Sequence, residues 1–407
     1  MFPKRLYALD AARGLAALCV VFSHWHHFFF RGDAIQEHFD RHRLPFYGFL
    51  SPLYDRGGYT AVTLFFVISG FVFFWLYEEA IQKRTCTITN FSLNRFGRLY
   101  PLHFATLIVV LALQWYYWRM NGCFFVYQFN DLYHFVLNLF IATSWGLQIG
   151  SSFNSPIWTV SIEVGLYFTF FVLAYQRRTS ARTVLAIVIC MVIAKGACQH
   201  WLSNFKTLGR WPDAIASFYA GSVAYKLCKA YLPRRSGVVD LIIVSLCVAG
   251  WISLYTVDMR GVRLEGGVRT LTYIFALMPI TIIALVLIET RIGCSLKWLG
   301  HIGDLTYSSY LLHFPLQIAF SLTAAYLGYS EDVFSSRMTL GLFFAILIPL
   351  SLVTFHYFEK PCQKWIRSAY TPTTVKGDLK EAVASVSAPQ AVAIPTSRPD
   401  MPEATKL

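Results

Sequence analysis

Long apolar runs separated by short polar, often basic, connections make up most of the chain. A helix that crosses the hydrocarbon core of a bilayer needs about 20 mostly apolar residues. Ten stretches have that length and character: 8–30, 59–78, 99–118, 157–175, 183–201, 213–230, 237–257, 270–289, 303–327 and 339–357. An eleventh, 132–147, is apolar but short and interrupted by His134 and Asn138, so we read it as a re-entrant or interfacial piece. The pattern predicts an all-α, polytopic transmembrane bundle of about ten spans, because in lipid only helices or closed barrels satisfy the backbone. Residues 371–407, rich in Ala, Pro, Thr, Ser and Val, have no usable periodicity. They read as a disordered cytoplasmic tail behind a membrane domain of residues 1–370.

Composition agrees with this picture. Of 407 residues, 56% are hydrophobic and only 14% charged, against about 25% charged in soluble domains. That excludes a disordered chain and argues against an ordinary soluble enzyme. The net charge of +13 would suit nucleic acid, but the basic residues sit in short clusters between the apolar runs. With the N-terminus cytoplasmic, nineteen Lys and Arg fall on the cytoplasmic side of the ten spans and eleven on the other. This positive-inside bias predicts a plasma-membrane protein with both termini in the cytoplasm and no nucleic-acid partner. The nine cysteines are odd in number and contain no C-x-x-C pair. They read as small buried hydrophobes, with no metal site. The first apolar run carries Arg13, His24, His26 and His27 and shows no cleavage site, so it reads as a retained helix.

Ionisable groups at membrane depth are costly, which makes each one a candidate for function. Arg13 and His24 are eleven residues apart, within about 20° of three full helical turns. They share a face about 16 Å apart. An imidazole there is either a base, its pKa lying near working pH, or a structurally satisfied group. Arg95 and Arg98 stand at i and i+3. Two forked guanidiniums on one face suit phosphates, and equally suit a positive-inside anchor. Glu163 opens a strongly apolar span and needs a partner; His24 lies at a similar depth, and an arginine is the alternative. Thr306, Ser309, Tyr310 and His313 follow helical spacing and form one polar stripe, which lines a cavity or satisfies another helix.

In this order, these segments resemble the acyltransferase-3 family of integral membrane acyltransferases, from Arg5 to about Arg367. The markers are Leu9-Asp10-Ala-Ala-Arg13-Gly with His24, Phe65-Phe-Val-Ile-Ser-Gly70-Phe71, and Arg95-x-x-Arg98-Leu-Tyr-Pro101. They continue with Trp158-Thr-Val-Ser-Ile-Glu163, Phe218-Tyr-Ala-Gly221, Tyr307-Ser308-x-Tyr310-Leu-Leu-His313-x-Pro315 and Phe358-Glu359-Lys-Pro361. The resemblance implies transfer of an acyl group, usually acetyl, from cytoplasmic acyl-CoA to a hydroxyl of a carbohydrate or glycolipid. It implies a catalytic His24, with Arg13, Arg95 and Arg98 toward the CoA phosphates. Val164 stands where the family often has a second acidic residue, and no esterase-like domain is fused to the chain.

These readings combine into an expectation. His24, polarised by Glu163, deprotonates an acceptor hydroxyl, and Tyr307, Ser308, Tyr310 and His313 line the acceptor path. The rival is a glycolipid transporter or flippase, which would show inverted repeats and matched broken helices. Neither is visible in the sequence.

Overall fold

The computed structural model describes residues 2–370 except residues 4, 204–207, 261–267 and 269–270. The expected tail, 371–407, lies outside the described residues. Thirteen α-helices are described: α1 (Tyr7–Ser23), α2 (Tyr47–Gln82), α3 (Ile88–Asn121), α4 (Leu132–Leu139), α5 (Trp158–Tyr175), α6 (Ala181–Ser203), α7 (Trp211–Tyr231), α8 (Gly237–Met259), α9 (Met278–Ile292), α10 (Gly300–Asp304), α11 (Thr306–Tyr326), α12 (Arg337–Thr354) and α13 (Lys360–Tyr370). The only strands among the described residues are two antiparallel dipeptides, Phe30–Arg31 and Ala34–Ile35. The protein is an all-α polytopic bundle.

A helix occupies each of the ten anticipated spans. Six segments are by themselves long and apolar enough to cross a membrane: α2, α3, Ser155–Tyr175, α8, Thr272–Arg291 and Arg337–Ala369. α1 has only 17 residues, about 26 Å. The most apolar helices are not all central. The richest window of Gly237–Met259 is 11% buried in the protein and that of Arg337–Ala369 is 22% buried. Most of the side chains in these apolar windows face outward, where the surrounding lipid takes the place of a protein neighbour. α7 and α11 bury Ser217, Ser222, Ser308, Ser309 and His313 in the bundle instead.

Several boundaries differ from the expected ones. The first span was drawn to residue 30, but α1 stops at Ser23 and a 3-10 turn, Trp25–Phe29, follows. The chain stays apolar there, so hydropathy gives no stop signal. The His24 carbonyl accepts from the His27 N–H within that turn (3.0 Å) and also from the Gln317 amide (2.8 Å). α3 begins eleven residues before its expected span, with Thr87 as N-cap accepting from the Asn90 N–H (3.2 Å). The 132–147 segment contains the eight-residue α4, about 12 Å and too short to span. Asp131 caps it by accepting from the His134 N–H (2.9 Å), which holds that carboxyl below its usual range. The residues that broke the apolar run dock the segment: the Asn138 side chain donates to Ser152 Oγ, and the His103 ring bonds the Asn138 carbonyl (2.7 Å).

α2 packs most closely on α7 and α1, and α1 also packs along α11. Gly14 lies against the Ile302 carbonyl, so the start of α1 meets the start of the α10–α11 pair. At its other end His24 meets His313 and Gln317. α1 and α11 therefore run parallel. Glu289 reaches the start of α1 and accepts from the N–H groups of Tyr7 (2.6 Å) and Ala8 (2.9 Å). Lys195 pairs with Asp213 at 2.5 Å.

Candidate active site

A cavity opens where α1, α2, α3, α5 and α11 converge, lined by Arg13, Phe65, Phe66, Arg98, Leu99, Thr159, Val160, Glu163, Tyr167, Thr306, Tyr307 and Tyr310. Arg13 comes from α1, where the small residues Ala12, Gly14, Ala16 and Ala17 allow neighbours to approach closely. Arg98 comes from α3, Glu163 and Tyr167 from α5, and the remaining polar wall from α11.

Two cations and one carboxylate share this space. Arg13 lies within electrostatic reach of Arg98 and of Glu163. Glu163 accepts a hydrogen bond from Ser69 Oγ (2.8 Å) and also engages Tyr167. The hydroxyl of Tyr307 donates to the Leu99 carbonyl (2.5 Å), tying α11 to α3 beside Arg98. Tyr310 donates to the Pro156 carbonyl (2.8 Å) and lies 2.8 Å from Thr159 Oγ1, which fixes its ring at the far wall.

Beyond Tyr310 the stripe on α11 continues to His313, whose ring centroid lies 6.1 Å from that of Tyr310. Here α1 ends. His24 Nδ1 lies 2.9 Å from His313 Nε2, with the ring centroids 5.2 Å apart and the planes inclined by 26°. His27 lies nearly parallel to His24, its centroid 4.6 Å from that of His24. Gln317 donates to the His24 carbonyl and accepts from His27 Nδ1 (3.2 Å). His313 and Gln317 are fully buried, while His24 is half-buried.

The expected site residues thus divide into three places. Arg13, Arg98, Glu163, Tyr307 and Tyr310 meet in the cavity. His24 and His313 form a pair about one turn farther along α11. Arg95 and Ser308 are not part of the cavity lining, although Arg95 lies within electrostatic reach of Glu163. Arg95 turns into an aromatic cage, donating to the Tyr77 hydroxyl (2.6 Å) with Phe73, Tyr77 and Tyr167 around its guanidinium. Spacing of i, i+3 placed Arg95 and Arg98 on one side of α3, but α2 and α5 cover the first and leave the second facing the cavity. Ser308 donates to the buried carboxylate of Glu359. No hydrogen bond joins Glu163 to His24, which replaces the anticipated Glu–His pair with a His–His pair.

The sequence reading passed over Gln317, Tyr167 and Ser69 as site residues. Gln317 extends the polar stripe of α11 by one more turn, and that periodicity was available. Tyr167 and Ser69 look like ordinary members of apolar spans, and only the fold aims them at Glu163.

A polytopic helical bundle with a buried polar cavity between its central helices defines an integral membrane protein that handles a polar ligand at membrane depth. A family model described as an acyltransferase domain matches residues 6–356, nearly the whole chain. The chain belongs to this family and is an integral membrane acyltransferase. It is similar to the acyltransferase MdmB of Streptomyces mycarofaciens, with 25% identity over 299 residues that cover 68% of this chain and 72% of that protein. It is also similar to a Rhizobium radiobacter protein described as protein 2 in the picA locus. That identity is 34% over 110 residues, 27% of this chain and 46% of the relative, so the chain spans less than half of that relative's length. No solved structure matches the chain.

Proposed function

We propose that the protein moves an acyl group, in the first instance acetyl, from cytoplasmic acyl-CoA to a hydroxyl of a carbohydrate acceptor. An exopolysaccharide, a lipopolysaccharide or a lipid-linked sugar presents such a hydroxyl. One observation carries this reading. The parallel packing of α1 on α11 sets the Arg13–Arg98 cavity and the His24–His313 pair along one polar seam, about 16 Å from end to end. Two guanidiniums at one end suit the phosphates of CoA. The extended pantetheine arm then carries the thioester toward the histidines.

The chemistry follows from what His24 can do. Its Nε2 accepts the proton of the acceptor hydroxyl as that oxygen attacks the thioester carbonyl. The carbon–sulfur bond breaks, and the sulfur leaves as CoA thiol after taking the proton back from His24. General-base assistance of this kind contributes roughly 10²- to 10⁴-fold. Glu163, held by Ser69 beside Arg13, serves as counter-charge for the arginines. We assign the arginine end to the cytoplasm and the protein to the plasma membrane, consistent with the positive-inside bias.

The test is release of free CoA from acetyl-CoA by the purified protein. His24→Ala should abolish it in protein that still inserts and folds. Normal turnover in that variant would remove His24 from the mechanism. Mass spectrometry of surface glycans and lipids, with and without the gene, identifies the acceptor by a lost acyl mass.

A further inference from the structure

We infer that His313 is a positioning residue that fixes the tautomer of His24 and thereby makes His24 Nε2 the proton-accepting atom. This rests on the acyl-transfer reading of the site.

The inference starts from a group that can only accept. The backbone carbonyl of Ser309 lies 3.3 Å from His313 Nδ1. A carbonyl has no proton to give, so His313 Nδ1 carries the hydrogen. A neutral imidazole has one N–H, which leaves His313 Nε2 with a lone pair. His24 Nδ1, 2.9 Å away, must then be the donor. With its proton on Nδ1, His24 presents a lone pair on Nε2, and the His24 ring's one hydrogen bond among the described residues is through Nδ1. The relay Ser309 O, His313, His24 reads in one direction only for neutral rings.

A second clamp holds the geometry. The Gln317 amide nitrogen donates to the His24 carbonyl, which fixes the amide's orientation. Its oxygen therefore accepts from His27 Nδ1. His27 is thus held nearly parallel to His24, 4.6 Å between ring centroids, while His313 meets the His24 ring edge through the Nδ1–Nε2 bond. The His24 ring cannot rotate without breaking the bond to His313.

The same bond acts during the reaction. When His24 Nε2 takes the hydroxyl proton, the imidazolium keeps its Nδ1–H aimed at the His313 lone pair. The relay orients the base without adding a carboxylate, which at membrane depth would need a counterion of its own. Glu163 already has partners at Ser69, Tyr167 and Arg13.

The experiment compares two amides at residue 313 in the full-length protein in lipid nanodiscs, with acetyl-CoA as donor and water as acceptor. The amide end of Gln reaches the place of the imidazole Nε2 and presents an acceptor to His24. The amide end of Asn stops near the place of Nδ1. His313→Asn should lower kcat by about 10²-fold, the low end of a lost base, with KM for acetyl-CoA held within about twofold. His313→Gln should recover at least about tenfold of that loss. A merely structural role predicts equal damage by both, or a shift in KM with kcat unchanged, and either result overturns the inference. So does an Asn variant with parental kcat. Wild-type protein that releases no CoA overturns the acyl-transfer reading along with it, whereas an active wild type, a dead His24→Ala and an unaffected His313→Asn defeat this inference alone.

Discussion

Gly70 of α2 and Gly221 of α7 interlock across the central seam of the bundle. A Cβ at Gly70 would overlap the carbonyl of Phe218, three residues before Gly221, and a Cβ at Gly221 would overlap the carbonyl of Val67, three residues before Gly70. The two backbones touch because neither glycine has a side chain. Close packing of small residues is what holds helices together where lipid is as apolar as leucine. Gly70 and Gly221 belong to two of the sequence markers, so this seam accounts for part of the motif pattern without invoking chemistry.

Alanine at either glycine should therefore destabilise the fold. Overpacking costs about 1–3 kcal/mol where side chains can yield, and here the obstacle is backbone. Thermal unfolding in detergent should show a lower midpoint for Gly70→Ala and for Gly221→Ala. A variant as stable as the parent would contradict the contact.

Arg98 and Arg95 should separate in kinetics although they sit one turn apart. Arg98 faces the cavity, and a hydrogen bond to a charged group is worth about 1.5–3 kcal/mol. Arg98→Ala should raise KM for acetyl-CoA by roughly tenfold or more with a smaller change in kcat. Arg95 fills the cage of Phe73, Tyr77 and Tyr167. Arg95→Lys should lower stability, because an ammonium lacks the planar fork, and leave KM near the parental value. The reverse pattern would place Arg95 at the phosphates.

Glu163→Gln should be much milder than His24→Ala. The carboxylate bonds Ser69 and not His24, so its loss alters the charge around Arg13 without touching the base. We expect an activity loss at least about tenfold smaller than that of His24→Ala, within the range a general base supplies. Equal loss at unchanged KM would put Glu163 back into proton transfer.

Glu289 caps α1 from a helix far away in sequence. Its two oxygens take the N–H groups of Tyr7 and Ala8, at the positive end of the helix that carries Arg13 and His24. Losing an N-terminal cap costs about 0.5–2 kcal/mol. Glu289→Ala should lower the unfolding midpoint and the activity together, and Glu289→Gln should restore part of both. An active but destabilised Ala variant would show that α1 holds its place without the cap.

Hydropathy and spacing alone determined that this chain is a helical membrane protein with a few costly polar groups inside. Apolar length is a local property, and it survives without knowledge of neighbours. Helical spacing also showed that Arg13 shares a face with His24, and that Thr306, Ser309, Tyr310 and His313 form a stripe. Only the tertiary structure decided who meets whom. His24 and His313 are 289 residues apart, Ser308 and Glu359 are 51 apart, and Tyr7 and Glu289 are 282 apart. Spacing tells which side of a helix a group occupies, but not which helix covers that side. For that reason Arg95 went to an aromatic cage and Arg98 to the cavity. For the same reason Glu163 found Ser69 in place of His24, and the partner of the candidate base became visible only when α1 and α11 lay side by side.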